Sequence, residues 1–298
     1  MNLGIAGLGK MGAAIGTRLL GQGHKLAVWN RTADKAKPLV AAGATAVGAP
    51  ADVAAAAEAV ITILTDASAI ESVYGGPKGL LSADVAGKLF IDMSTVRPET
   101  AKALAHKVKA KGAAFVECPV GGTTGPAREG KLLGFAGAEA ADFARAEPLL
   151  KQLCRRVEHC GPVGTGASLK LAINLPLLVY WRAFAEALSL CRHLGKDPAW
   201  FIDVFADTSG GPNILKGRGP ALAAAIGGKD PGPTTFDVDS IRKDLRTMLA
   251  EGKGLGQDLP IVAKTLELYD QAARDGWGSK DVADVVRYWL EKTPPHAA

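Results

Sequence analysis

The sequence predicts an α/β protein: an N-terminal Rossmann domain with a mainly parallel, doubly wound sheet, then an all-helical C-terminal domain joined to it by one long helix. Three observations predict this. A glycine-rich turn, Gly7-Leu8-Gly9-Lys10-Met11-Gly12, sits between an apolar strand and a helical pattern. Further along, short apolar runs alternate with alanine-rich helical stretches. Past Gly161-Pro162-Val163-Gly164-Thr165-Gly166, a run of breakers, the periodicity is helical with almost no strand signal. Residues 1–163 are therefore expected to form the first domain and 164–298 the second.

Six strands are expected in the first domain: Leu3–Ala6, Lys25–Trp29, Val60–Leu64, Leu89–Asp92, Phe115–Glu117 and Leu132–Ala136. The first runs directly into the glycine turn, and Ala13, Ala14, Ile15, Leu19 and Leu20 then repeat with helical spacing. Strand, G-x-G-x-x-G and helix in that order form a dinucleotide-binding turn. Gly7 permits the tight turn, Gly9 lets backbone approach a pyrophosphate, and Gly12 lets helix and strand pack closely. The N-terminus of the helix then faces the negative charge.

The end of the second strand points to the kind of dinucleotide. An acidic residue about 20 positions past the turn would accept from a ribose 2'-hydroxyl. Asn30-Arg31-Thr32 stands there instead. Arg31 can stack on adenine and pair with a 2'-phosphate, Asn30 and Thr32 can donate to it, and Lys35 can add charge. NADP(H) is the expected cofactor, since the loss of the acid and the gain of the base point the same way; a solvated surface arginine is the alternative reading of Arg31.

Ligands of such sheets bind beyond the carboxyl ends of the strands. Leu64-Thr65-Asp66, Ser94-Thr95 and the segment from Glu117 to Gly125 fall there. Gly121 and Gly122 can bring backbone N–H groups to a ligand, and Thr95, Thr123 and Thr124 offer hydroxyls. In the long apolar helix, Ala167 to Leu194, Lys170 and Asn174 are four residues apart and share a face. A half-buried lysine can give its proton to an alkoxide as hydride reaches a carbonyl carbon, and an adjacent asparagine can orient the substrate. A lysine that snorkels to the helix end would need neither role.

Composition narrows the partners. The net charge of +5 is mild and comes without a basic arm, so nucleic acid is not expected and small anions are. The apolar helix contains Lys170, Arg182, Glu186 and Arg192, so a buried soluble helix is expected rather than a membrane span, with Pro176 placed to bend it. Cys118, Cys154, Cys160 and Cys191 have no metal-site spacing, so no metal is expected and free thiols in a cytoplasmic setting are. The tail from Thr293 to Ala298 is expected to be disordered.

Five motifs together resemble the β-hydroxyacid dehydrogenase family over nearly the whole chain. They are the turn at Gly7–Gly12, Trp29-Asn30-Arg31-Thr32, Asp92-Met93-Ser94-Thr95, Pro119-Val120-Gly121-Gly122, and Gly164 to Lys170 with Asn174. Phe236 and Lys243-Asp244 extend the likeness late in the chain. The resemblance implies a helical second domain like that of 6-phosphogluconate dehydrogenase and a homodimer or homotetramer. It implies Lys170 as proton donor or acceptor and Asn174 as substrate-orienting. It also implies Thr95 near the nicotinamide, Lys243 near the cofactor, and Phe236 and Asp244 at the substrate. Leu8, Lys10, Met11, Leu64 and Thr65 join the cofactor-binding residues. Ile173 and the second strand are most similar to the glyoxylate and semialdehyde reductases. The family usually has serine where this chain has Gly121. The function expected is NADPH-dependent interconversion of a small aldehyde or semialdehyde acid and its hydroxy acid. An imine or bulkier carbonyl reductase, or an NADP-binding module without turnover, are the alternatives.

Overall fold

A computed structural model describes residues 1–292, so the expectation for the tail from Thr293 lies outside the described residues. The chain divides into two compact units, Met1–Ala172 and Ile173 onward.

The first unit holds one nine-stranded sheet. Its strands are β1 (Asn2–Ala6), β2 (Lys25–Trp29), β3 (Thr45–Ala46), β4 (Ala59–Thr62), β5 (Leu89–Asp92), β6 (Ala114–Glu117), β7 (Val120–Gly121), β8 (Leu132–Gly137) and β9 (Cys154–Gly161). The order is β3-β2-β1-β4-β5-β6-β8, with β7 and β9 also on β8. From β3 to β6 every pairing is parallel. The order reverses between β1 and β4, the topological switch point where such sheets bind their ligands.

All six expected strands form, with small shifts at their ends. The third of them, observed as β4, stops at Thr62 rather than Leu64, so Ile63–Thr65 lie in the following loop. Three strands were not anticipated. β3 is two exposed residues at one sheet edge. β7 continues the line of β6 after Cys118-Pro119, because proline has no N–H for the ladder; both strands run antiparallel to β8. β9 is the opposite edge, with Arg155 and Arg156 exposed, and its charged sequence hides the strand.

Helices cover both faces of the sheet: α1 (Lys10–Gly21), α2 (Lys37–Ala41), α3 (Pro50–Ala56), α4 (Ala67–Gly75), α5 (Pro98–Lys109), α6 (Thr124–Glu129) and α7 (Ala140–Leu153). One core cluster includes Ile5, Ile15, Val28, Leu39, Ile91 and Leu150. The other includes Val53, Val60, Tyr74, Phe90, Leu104 and Phe115. Two buried layers on one sheet explain why its central strands read as continuous apolar runs.

The expected long helix is α8 (Thr165–Cys191), which passes from the first unit into the second and contains Pro176. By length and composition alone the stretch Thr165–Leu194 could cross a membrane. Leu178, Trp181, Phe184 and Leu188 of this helix are buried. The second unit continues with α9 (Pro198–Ala206), α10 (Asn213–Ile226), α11 (Val238–Gly254), α12 (Pro260–Ala272) and α13 (Val282–Lys292). Its core includes Leu215, Leu222, Ile241, Leu245, Tyr269 and Trp289. Arg182 lies over the Trp289 ring at 5.0 Å and pairs with Glu186 at 2.9 Å. Its charge is therefore held inside the unit's own packing.

Candidate functional site

The glycine turn has the geometry its sequence demands. Gly7 has φ +101°, and a Cβ there would stand 2.2 Å from the carbonyl oxygen of Ile63. A Cβ on Gly12 would stand 2.0 Å from the carbonyl oxygen of Gly7. Both positions exclude any side chain, and together they bring the loops after β1 and β4 into contact. At Gly9 the case is reversed: a Cβ would meet no atom within 4 Å. Its surroundings are open, with α1 starting directly behind it. No side chain caps α1, and its first turn contains no acidic residue. An uncapped, acid-free helix start behind an open glycine fits a dinucleotide pyrophosphate. Leu8 is buried, while Lys10 is exposed and Met11 intermediate.

Asn30 has a role the sequence did not suggest. Its Oδ1 accepts the backbone N–H of Leu8 at 2.9 Å, and its Nδ2 donates to the carbonyl of Thr32 at 3.0 Å. The side chain is thus a brace inside the fold, tying the glycine turn to the loop that carries Arg31. Arg31, Thr32 and Lys35 are exposed.

At the carboxyl ends of β4, β5 and β6 the register aligns Thr62, Asp92 and Glu117 across three strands, and Glu117 is opposite Gly137 on β8. Both carboxylates are buried. Thr62 Oγ1 donates to Asp92 Oδ1 at 2.6 Å, and Ser94 Oγ donates to the same oxygen at 2.7 Å. Tyr74 OH is 2.8 Å from Thr62 Oγ1, and Ser94 Oγ accepts the N–H of Leu64 at 2.9 Å. Asp92 therefore holds the loop with Leu64 and Thr65 and, through Ser94, the chain entering Thr95. Burial pushes the Asp92 carboxyl up to about 6 against the pull of its hydroxyl donors. Burial likewise pushes Glu117 up to about 7, opposed by three backbone N–H donors at the start of α8.

In the loop after β6, the two adjacent glycines differ. Gly122 has φ +124°, and a Cβ there would meet Leu132 Cδ2 at 2.8 Å. Gly121 has no such backbone demand, and its Cβ would rest at 3.5 Å from Phe135 and 3.6 Å from Leu133, ordinary contact distances. The fold requires glycine at 122 and would accept a side chain at 121. Thr123 and Thr124 are partly buried beside them.

Lys170 and Asn174 both lie in α8, at 9% and 6% exposure. Asn174 Nδ2 donates to Asp244 Oδ2 at 3.2 Å, and Lys243 Nζ is 2.5 Å from Asp244 Oδ1. Asn174, Lys243 and Asp244 thus form one cluster in the second unit, as the spacing could not show. Ile173 is exposed at 42%.

Phe236 lies just before α11 on a segment fixed by Asp281. The Asp281 carboxylate accepts from the N–H groups of Thr235 (2.7 Å) and Phe236 (3.3 Å) and is paired with Arg218. Sequence reasoning passed over Asp281, Asp92 and Glu117 as functional. The one signal for the last two is a carboxylate closing an otherwise apolar strand. Among the described residues no group of three His, Cys, Asp or Glu could hold a metal ion.

Known proteins agree with this architecture. Residues 2–161 match the NAD binding domain of 6-phosphogluconate dehydrogenase, and residues 164–289 match the NAD-binding domain of NADP-dependent 3-hydroxyisobutyrate dehydrogenase. The chain is 34% identical to glyoxylate/succinic semialdehyde reductase 1 of Arabidopsis thaliana, covering 96% of this chain and 97% of that protein. It superposes on Mycobacterium tuberculosis 3-hydroxyisobutyrate dehydrogenase with L-serine at TM-score 0.82 and 25% identity, over 96% of this chain and 98% of that one. The reductive aminase of Aspergillus terreus in complex with NADPH and ethyl levulinate matches at TM-score 0.64 and 26% identity, over 97% and 99%. The chain belongs to the β-hydroxyacid dehydrogenase family and is a nicotinamide-dependent oxidoreductase.

Proposed function

We propose that the protein is an NADPH-dependent reductase of small aldehyde or semialdehyde acids, yielding hydroxy acids. The observation that carries this is the burial of Lys170 together with Asn174, one helical turn apart on α8. A lysine is rarely removed from water without a task. Gly7, Gly9, Gly12 and the start of α1 hold the cofactor's pyrophosphate, and Arg31 takes its 2'-phosphate. When bound, the nicotinamide supplies hydride to the carbonyl carbon. Lys170 donates the proton that the developing alkoxide needs, and Asn174 orients the substrate oxygen. The backbone of Gly121 and Gly122 with Thr123 takes the substrate's other end. By the family likeness, Phe236 and Asp244 serve the substrate, and Thr95 and Lys243 the cofactor. The four free thiols support a reducing, cytoplasmic setting, and the family likeness supports a homodimer or homotetramer.

The test is NADPH oxidation with glyoxylate, succinic, methylmalonate and tartronate semialdehydes, and bulkier aldehydes, in the wild type and Lys170→Met. Turnover on one of the acids, lost by about 10²-fold or more in the variant while NADPH still binds, is the expected result. Wild-type turnover in Lys170→Met would remove the lysine from the mechanism.

Gly121 favours a second reading, reduction of an imine or a bulkier carbonyl. Its missing side chain leaves room that the fold does not require, and the matched Aspergillus enzyme is a reductive aminase. Activity on cyclic imines with none on the aldehyde acids would select it.

A further inference from the structure

Glu117 closes β6 and reaches the start of α8. Its Oε1 accepts the backbone N–H groups of Gly164 at 2.6 Å, Gly166 at 2.9 Å and Ala167 at 3.3 Å. An ordinary helix cap comes from the residue at the helix's own N-cap position. This one arrives from 47 residues away on a central part of the sheet.

Two glycines admit it. A Cβ on Gly137 would stand 2.3 Å from Glu117 Oε1, and one on Gly166 would stand 2.2 Å from the carbonyl oxygen of Phe135. The first turn of α8 is therefore pressed onto β8 and held there by a single buried oxygen. Lys170 follows Ala167 on the same helix by three residues, less than one turn. The other oxygen, Oε2, is buried with no hydrogen-bond partner.

We infer that Glu117 is the positioning residue for Lys170: it anchors the first turn of α8 to the sheet and so sets where the ammonium stands. The inference rests on the role given to Lys170 above. The anchor is strongest when Glu117 is ionised, because an anion at a helix start gains from both the N–H donors and the helix dipole. Burial pushes the carboxyl up to about 7, so protonation weakens the anchor as pH falls below neutrality. The groups facing Glu117 are Asp92 on β5, Cys118 beside it and Cys160 on β9. Lys102 of α5 packs against Gly164, and Tyr74 and Thr62 reach Asp92 from α4 and β4.

The experiment compares Glu117→Ala, Glu117→Gln, Lys170→Met and the double variant Glu117→Ala/Lys170→Met. It reads kcat and KM against pH, NADPH affinity, and amide hydrogen exchange of the peptide Gly164–Lys170. Glu117→Ala is expected to lower kcat by about 10²-fold with NADPH affinity unchanged, and to speed exchange in that peptide. Glu117→Gln keeps an accepting oxygen, so it recovers most of the loss and abolishes the fall in kcat on the acid side of neutrality. In the Lys170→Met background, Glu117→Ala costs no further turnover.

The inference is overturned if Glu117→Gln is as damaging as Glu117→Ala or keeps the acid limb, or if the two single losses multiply in the double variant. The Glu117→Gln pH profile decides alone should Glu117→Ala not fold. Full turnover in Lys170→Met would instead sink the proposed function. Unchanged exchange in Glu117→Ala, with Lys170→Met inactive, would sink only the present inference.

Discussion

The backbone N–H of Leu8 donates to Oδ1 of Asn30, 22 positions away, at 2.9 Å. One amide side chain therefore fixes the glycine turn against the end of β2 and, through Thr32, shapes the loop of Arg31. Removing it leaves a part-buried backbone donor unmatched, at a cost of about 1–3 kcal/mol. Asn30→Ala is expected to weaken NADPH and NADH alike, by roughly ten- to a hundredfold. Fluorescence titration of both cofactors measures it; unchanged dissociation constants would mean that the turn holds itself.

Arg31 is exposed at the mouth of the same turn, where a carboxylate would serve the 2'-hydroxyl of NADH. The wild type is expected to bind NADPH more tightly than NADH, and Arg31→Asp to reverse the order. A charge-assisted pair of this kind is worth about 1.5–3 kcal/mol, so a shift of at least tenfold in the affinity ratio is expected. Equal wild-type affinities for the two cofactors would refute the assignment.

Gly121 and Gly122 offer a paired test. At Gly122 a methyl group would be strained by the positive φ and would press on the Leu132 side chain, whose Cδ2 it would approach to 2.8 Å. Gly122→Ala is expected to lower stability by about 1–3 kcal/mol, read by thermal or denaturant unfolding. Gly121→Ser meets only ordinary contacts and should leave the melting temperature near that of the wild type. Its effect belongs in the substrate profile: a new hydroxyl donor should favour small carboxylate-bearing aldehydes over bulky ones. An unchanged ratio of kcat/KM between the two classes would separate Gly121 from specificity.

Asp92 makes stability depend on pH in an unusual direction. Burial raises its carboxyl from the usual 3.8 to about 6, so the folded state binds that proton more tightly than the unfolded chain. Its contribution is complete below the unfolded value and is lost as pH rises through the folded one. Thermal melts from pH 4 to pH 7 should show this group lowering the melting temperature across that window. Asp92→Asn, which remains neutral, should flatten the decline. An identical slope in the variant would show that other groups carry it.

Much of the fold was legible because local chemistry and tertiary context agree in it. The central strands are apolar on both faces, and the glycine turn has no other low-energy use. The edges were not legible: β9 opens on Cys154-Arg155-Arg156 and β3 is two exposed residues, so neither shows the apolar run of a strand. In the site, Gly7, Gly9 and Gly12 could be read because each glycine answers a steric demand inside its own turn. Asn30, Asp92 and Glu117 could not, because what they do depends on partners 22, 30 and 47 residues away. A sequence shows that a carboxylate closes an apolar strand, but not which amides will come to meet it.

Gly137 and Glu117 face each other across β8 and β6, with room for the carboxylate only because Gly137 has no side chain. The two positions are therefore one decision. A methyl at 137 would displace the carboxylate without altering residue 117, a substitution silent in any inventory of site residues. Among relatives of this chain, a long acidic residue at the one position should travel with glycine at the other. A branch that loses the glycine should hold the start of its long helix by some other means.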